Sequence, residues 1–222
     1  MMNKNEKIAL LLNIILVCLG IVGTLIAFST YGIGLFVYYT VDSNVLCLVS
    51  SILYVIFLII KKKQQDMPLW VMITRFMATV CLMVTFIVVV AYLAPVEVWI
   101  PGGGYFANLK ILLFQGDMLY QHLLCPVISF ISFGFFEGDR RLNKKKTIWL
   151  GTLATLIYGT ILIVLNVLNV VNGPYPFFRI SENPVGNISV MAGVIVLSYS
   201  ISRFILLLNQ KHSPRLLKNK DK

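Results

Sequence analysis

Six apolar runs divide this chain, and they constrain its fold more than any other feature. Each is close to the ~20 residues that a helix needs to cross the hydrocarbon of a bilayer. Of the 222 residues, 58% are hydrophobic and 13% are charged, whereas about a quarter of a soluble domain is charged. Barrel strands alternate polar and apolar residues, and these runs do not. The sequence therefore predicts an all-α integral membrane bundle of six transmembrane helices.

The predicted spans cover residues 8–28, 40–60, 69–94, 118–136, 147–171 and 187–208. Within the longer connection 95–117, the apolar segment 105–114 is too short to cross a bilayer, and we interpret it as re-entrant or interfacial. No separate soluble domain is evident. We therefore interpret 1–222 as a single membrane domain that ends in a basic cytoplasmic tail, 209–222.

Along the chain, connections rich in lysine and arginine alternate with connections that have few of them. Fifteen lie on one set of connections and termini, whereas the other set carries only Lys110 and Arg179. The positive-inside rule then predicts that both termini are cytoplasmic. Arg75 and Arg203 fall near the inner ends of their spans, and we expect both to extend to the head groups.

The net charge of +10 is thus explained by topology and by contacts with anionic membrane lipids. It gives no reason to expect a nucleic-acid partner. The short basic loops and the lack of a long targeting segment favour a multi-pass protein of a bacterial plasma membrane. The sequence does not predict an oligomeric state.

Two predicted spans carry a polar face at helical spacing. In the second span these residues are Thr40, Ser43, Cys47, Ser50 and Tyr54, and in the fourth span they are His122, Cys125, Ser129 and Ser132. Small polar residues between membrane helices often act only as interhelical hydrogen-bonding groups. Thr40 and Asp42 are also suited to cap a helix N-terminus.

His122 is the only histidine within a predicted span. Imidazole accepts a proton at neutral pH, and Thr40 is expected at a similar depth. A hydroxyl and an imidazole on neighbouring helices form a candidate nucleophile and base pair. The sequence contains no GxSxG elbow, no HExxH metal motif and no phosphate-binding glycine loop beside a lysine. It therefore predicts no metal site.

Three motifs resemble a known family. They are Tyr39-Thr40-Val41-Asp42-Ser43-Asn44, Gln121-His122 followed by Pro126, and Gly173-Pro174-Tyr175-Pro176-Phe177. Together with the six-span plan, they resemble the androgen-induced membrane hydrolase family and its bacterial relatives. Characterised animal members are threonine hydrolases that cleave fatty acid esters of hydroxy fatty acids within the membrane.

The resemblance implies that Thr40 is the nucleophile and His122 its partner, that the substrate is a lipid ester, and that no cofactor takes part. Within such a mechanism, Asp42 or Asp117 is a candidate to orient His122. Asn44, Asn166 or backbone N–H groups are candidates to stabilise the oxyanion.

Two other functional classes stay open at the level of sequence. A small membrane transporter would carry charged pairs or broken helices near the bilayer midplane. A non-enzymatic membrane protein would bind a lipid or a partner without reacting with it.

Overall fold

The computed structural model describes residues 2–61, 65–96, 102–142, 145–179 and 182–213. The protein is 84% helical, with no β-strand among these residues. Its α-helices are α1 (Lys4–Tyr31), α2 (Tyr39–Ile60), α3 (Leu69–Val88), α4 (Gly104–Phe114), α5 (Cys125–Ile131), α6 (Lys145–Val167) and α7 (Pro184–Lys211).

Six helical segments of the described chain are long and apolar enough to cross a membrane, which confirms the predicted six-helix membrane bundle. Their bounds are Lys4–Val37, Tyr39–Ile60, Leu69–Leu93, Leu119–Phe136, Lys145–Val167 and Pro184–Lys211. The protein is thus a multi-pass membrane protein.

The third span is the centre of the bundle. About 56% of the residues in its most apolar part are buried, whereas the corresponding share is 22–28% in the first, fifth and sixth spans. It packs against α2, α5, α6 and α7. The apolar residues that stay exposed on the outer helices are the surface that lipid would cover.

Two of the spans depart from regular α-helix. A π-helical segment, Val89–Leu93, extends α3. The fourth span begins with the π segment Leu119–Leu124, continues as α5 and ends with a second π segment, Ser132–Phe136. Pro126 has no N–H to donate to the carbonyl of His122, so a regular α-helical ladder cannot run through this point.

Several element ends differ from the predicted ones. Helix α6 ends at Val167 rather than at residue 171, because Asn169 has a positive φ of 57°, a conformation that ends helices. Helix α7 continues to Lys211, past the predicted end of the sixth span and into the predicted tail. Residues 214–222 of that tail lie outside the described residues.

The apolar segment in the connection between the third and fourth spans forms the short helix α4. Asn108, Leu112 and Leu113 of this helix are buried, whereas Phe106 and Phe114 are exposed. The helix therefore packs against the bundle along one side and does not cross it.

Arg75 corrects one expectation from the sequence. Its side chain does not extend outward but is fully buried, as is that of its partner Glu137. Arg75 Nε and Nη2 donate to the two carboxylate oxygens at 3.1 and 3.0 Å. Asn13 and Ser132 also donate to Glu137. Arg203, by contrast, is exposed on α7.

The two ends of the bundle differ in charge. We call the end that carries Lys61, Arg140 and Arg141 the basic end, and the other the far end. Thr40 is the second residue of α2 and Lys61 follows its last residue, so Thr40 lies about 30 Å from the basic end.

Candidate active site

The two side chains singled out by the sequence meet at the far end of the bundle. Thr40 Oγ1 lies 3.2 Å from His122 Nε2, within hydrogen-bonding distance. Thr40 belongs to the first turn of α2 and His122 to the π segment before α5. Both side chains are buried, with exposed fractions of 7% and 5%. They therefore form a hydroxyl–imidazole pair that the protein shields from bulk solvent.

The backbone of α4 fixes the tautomer of His122. Its Nδ1 lies 2.6 Å from the carbonyl oxygen of Leu112. Because a carbonyl can only accept, Nδ1 carries the hydrogen, and Nε2 of the neutral ring is left with a lone pair. The Thr40 hydroxyl then donates to Nε2. This is the arrangement that a general base requires.

Two tyrosine hydroxyls satisfy the first N–H groups of α2. The backbone N–H of Tyr39 donates to Tyr158 Oη at 3.1 Å, and that of Thr40 donates to Tyr175 Oη at 3.4 Å. Such N–H groups have no partner within the helix, and they form its positive end. Thr40 thus lies where a developing negative charge is stabilised.

Tyr175 completes the site from the loop between α6 and α7. Its hydroxyl lies 3.3 Å from Thr40 Oγ1. Since this oxygen already accepts from the Thr40 N–H, its own hydrogen is available to Thr40 Oγ1 or to an oxygen bound beside it. Burial raises the pKa of Tyr175 to about 12, so the hydroxyl remains a donor at neutral pH.

Aromatic packing holds Tyr175 in place. Its ring stacks on Phe177 with centroids 5.5 Å apart. Gly173 allows the loop to fold tightly, because a Cβ there would meet the Phe178 Cβ at 2.5 Å. Packing within the loop after α6 therefore positions this hydroxyl beside Thr40.

An apolar cavity opens beside the pair. Its space of about 430 Å³ includes the part that is open to the outside. Thr40 and Tyr175 line it, but His122 does not. Its other walls come from α2, α3, α6, α7 and the loop: Tyr39, Val84, Thr85, Val88, Val89, Leu93, Thr155, Tyr158, Phe177, Phe178 and Val194. Thr40 thus stands between the imidazole and an apolar space.

A close helix–helix contact positions the π segment that carries His122. A Cβ added to Gly23 of α1 would lie 2.8 Å from the Tyr120 Cβ. Gln121 Nε2 donates to the Gly23 carbonyl at 3.3 Å. Asn44 Nδ2 donates to the Gln121 carbonyl at 3.1 Å. Helices α1 and α2 therefore hold the π segment from two sides.

The Asn44 side chain bonds to backbone carbonyls and not to the Thr40 or His122 side chain. Its Nδ2 donates to the Thr40 carbonyl at 2.8 Å as well as to Gln121, which uses both amide hydrogens. Its Oδ1 is buried without a partner among the described residues. In this arrangement Asn44 has no hydrogen left for an oxyanion.

The two carboxylates proposed to orient His122 do not contact it. Asp117 accepts from Gln121 Nε2 at 3.3 Å, and burial raises its pKa. Asp42 is half-buried and makes no side-chain hydrogen bond or ion pair with any described residue. The Leu112 carbonyl fills the orienting position instead.

Asn166 lies near the end of α6, where its Nδ2 donates to the carbonyl of Val171 at 3.2 Å. It is not among the residues that line the apolar cavity. Asn166 therefore stabilises the turn after α6, and the structure does not bring it to the Thr40–His122 pair.

No pattern in the sequence predicted that Tyr158, Tyr175 or Leu112 belongs to the candidate site. Tyr175 belongs to a motif that supported the resemblance, which is the only signal that could have singled it out. The carbonyl of Leu112 carries no sequence signal, because any residue presents one. Over the described ranges, no group of three or more His, Cys, Asp or Glu side chains is arranged to hold a metal ion.

Comparison with known proteins identifies no relative of this chain. No family model matches the chain, and no curated protein and no solved structure matches it significantly.

Proposed function

We propose that the protein is an intramembrane hydrolase of fatty-acyl esters in which Thr40 is the nucleophile and His122 the general base. The observation that carries the proposal is the 3.2 Å contact between Thr40 Oγ1 and His122 Nε2 at the wall of an apolar cavity. Threonine alone is a poor nucleophile, and a neighbouring base activates it.

In the acylation step, Thr40 Oγ1 attacks the ester carbonyl carbon while its proton passes to His122 Nε2. The tetrahedral intermediate collapses, the C–O bond to the alcohol breaks, and the alcohol oxygen takes the proton back from Nε2. Water then attacks the acyl-threonine, giving its proton to Nε2, and release of the fatty acid returns a proton to Oγ1.

Tyr175 is our proposed oxyanion donor. Its hydroxyl lies 3.3 Å from the attacking oxygen, and it lines the same cavity as Thr40. The positive end of α2 adds to the same electrostatic effect. This assignment replaces Asn44 and Asn166, whose amide groups bond elsewhere.

The apolar walls support an acyl chain as the group bound beside Thr40. The sequence resemblance to hydrolases of fatty acid esters of hydroxy fatty acids favours the same substrate class. We propose that a membrane lipid ester reaches the site from the bilayer, because the buried pair lies within the span region rather than in a soluble domain.

The test is hydrolysis of a long-chain fatty-acyl ester by the full chain in lipid nanodiscs. We expect Thr40→Ala and His122→Ala to lose activity by at least about 10³-fold. Thr152→Ala is the matched control, since Thr152 is also a buried threonine but lies on α6 outside the cavity. Full activity in Thr40→Ala would contradict the proposal, and a protein that binds the ester without turnover would be a lipid-binding protein.

A transporter is the second candidate, and the buried Arg75–Glu137 pair is the observation that favours it. Transporter sites lie near the bilayer midplane. Arg75 lies six residues after Leu69, where α3 begins, so it is about 9 Å along the helix from the basic end. This position favours a structural pair over a midplane transport site.

We also propose that the basic end faces the cytoplasm of a bacterial cell, so that both termini are cytoplasmic and the Thr40–His122 pair lies under the outer head groups. The alternation of basic connections supports this orientation. Reporter fusions at the two termini and at the connection 102–118 test it, with opposite compartments expected.

A further inference from the structure

The short helix α4 lies at the level where one span ends and the next begins. Asn108 Nδ2 donates to the carbonyl of Ala94 at 3.1 Å, and Ala94 directly follows the third span. The carbonyl of Leu112 accepts from His122, which is near the start of the fourth span. These two anchors place α4 at the far end of the bundle, where apolar spans meet the head-group layer of a bilayer.

The two sides of α4 differ in burial. Asn108 and Leu112 are 0% and 2% exposed. On the opposite side, Phe106, Lys110 and Phe114 follow one another at a spacing of four residues, which places them on one face. Phe106 is 82% exposed and Phe114 is 58% exposed, and Lys110 is exposed between them. We call these three residues the outer face of α4.

The outer face has the composition of a helix that lies in a membrane interface. Aromatic rings enter the boundary between head groups and acyl chains, and a lysine is attracted to anionic head groups. Lys110 is the only charged residue of α4, and it makes no ion pair with any described residue. The next acid along the chain, Asp117, is buried and accepts from Gln121. The bilayer around the spans is therefore the partner that fits this face in both position and charge.

We propose that the outer face of α4 binds the anionic head-group layer of the bilayer, and that this contact holds α4 against His122. The Leu112 carbonyl oxygen lies 2.6 Å from His122 Nδ1, and Leu112 stands between Lys110 and Phe114 in the same helix. Because a hydrogen-bonded helix moves as a unit, a shift of the outer face also shifts this carbonyl. Lipid contact thus sets the orientation of the His122 ring, and its consequence for hydrolysis rests on the function proposed above.

The test uses the full chain in proteoliposomes of phosphatidylcholine or of phosphatidylglycerol. Hydrogen–deuterium exchange of the α4 amides measures the lipid contact. We expect this exchange to be about fivefold slower in phosphatidylglycerol than in phosphatidylcholine, because Lys110 is attracted to the anionic surface. Lys110→Gln should remove the difference, and Phe106→Ser should speed the exchange in both lipids.

Solid-state NMR of isotope-labelled histidine measures the coupling to the site. The Nδ1 signal of His122 should change between the two lipids in the wild type and should not change in Lys110→Gln. His212 is an internal control, because its Nδ1 bonds to the Leu208 carbonyl at the basic end. Neither measurement requires turnover, so both still decide the proposal if the chain hydrolyses no ester.

Two variants control for charge and for ring size. Lys211→Gln removes an exposed lysine at the other end of the bundle, and Phe36→Ser removes an exposed ring at the far end but outside α4. Equal exchange of α4 in the two lipids, or an effect of Lys211→Gln as large as that of Lys110→Gln, overturns the lipid contact. So does an effect of Phe36→Ser on α4 exchange as large as that of Phe106→Ser. A His122 signal that stays fixed while the exchange of α4 changes overturns the coupling.

Discussion

At the scale of residues, one hydroxyl is held between an acceptor and a donor. Thr40 Oγ1 donates to His122 Nε2, and Tyr175 Oη lies on its other side at 3.3 Å. The carbonyl of Leu112 holds the opposite nitrogen of the imidazole. Nε2 can only accept from Thr40 Oγ1, and the Tyr175 oxygen already accepts from the Thr40 N–H, so its hydrogen is available to Oγ1.

Removing the Tyr175 hydroxyl separates oxyanion stabilisation from substrate binding. We expect Tyr175→Phe to lower kcat by about 10²–10³-fold with little change in KM, because the hydroxyl acts on charge that develops in the transition state. Tyr199→Phe is the matched control, since Tyr199 packs on Trp149 away from the site. An unchanged kcat in Tyr175→Phe would rule out the role.

The pH dependence of that effect follows from the pKa of Tyr175, which burial raises to about 12. The group is neutral when folded at any pH well below this value. We therefore expect the ratio of wild-type to Tyr175→Phe activity to stay constant from pH 7 to about 10. In the unfolded chain the group ionises near pH 10, so its contribution to stability is complete below pH 10 and is lost as pH rises towards 12. A ratio that falls through pH 8–9 would contradict the assignment.

At the scale of elements, the site depends on irregular structure that packing stabilises. The π segment Leu119–Leu124 carries His122, and the loop after α6 carries Tyr175. Short π-helical segments within helices often lie at functional sites. Here Gly23 and Asn44, on two different helices, contact the π segment.

Gly23→Ala tests whether this contact positions His122. The new methyl group would lie 2.8 Å from the Tyr120 Cβ, so the π segment must move. We expect hydrolysis to fall about 10²-fold, the effect of a displacement near 1 Å at a reacting pair. Gly193→Ala is the control, because a Cβ there meets nothing within 4 Å. Equal activity in the two variants would show that the contact does not set the geometry.

The sequence predicted the six spans because the length of an apolar run is a local property. It also identified the polar faces of α2 and of the fourth span, because helical spacing places their residues on one side, and the structure buries both faces. It could not predict that Leu112 and Tyr175 complete the site, because these contacts join residues distant along the chain. The expectation for Arg75 was wrong for the same reason: its partner Glu137 is 62 residues away.

At the scale of the whole molecule, the bundle has two different ends joined by the buried third span. The far end holds the Thr40–His122 pair and an apolar cavity. The basic end holds the Arg75–Glu137 pair and a polar cavity. The ion pair connects α3 to the last turn of the fourth span, and Asn13 adds α1 to the same cluster.

Breaking this ion pair should destabilise the bundle without changing the contacts of the Thr40–His122 pair at the far end. We expect Arg75→Met or Glu137→Gln to cost about 3–5 kcal/mol of unfolding free energy, because each leaves one buried charge or its hydrogen bonds uncompensated. The double variant should be less destabilised than the sum of the two single variants. Thermal unfolding in detergent measures this, and single variants as stable as the wild type would contradict it.

The central claim is that Thr40 Oγ1 becomes acylated with His122 as its base. The most direct measurement is mass spectrometry of the full chain, quenched and digested after mixing with a long-chain fatty-acyl nitrophenyl ester. We predict an acyl adduct on the peptide that contains Thr40 in the wild type and in Thr152→Ala, and none in Thr40→Ala or His122→Ala. An adduct on a different residue, or ester cleavage by Thr40→Ala at the wild-type rate, would contradict the account.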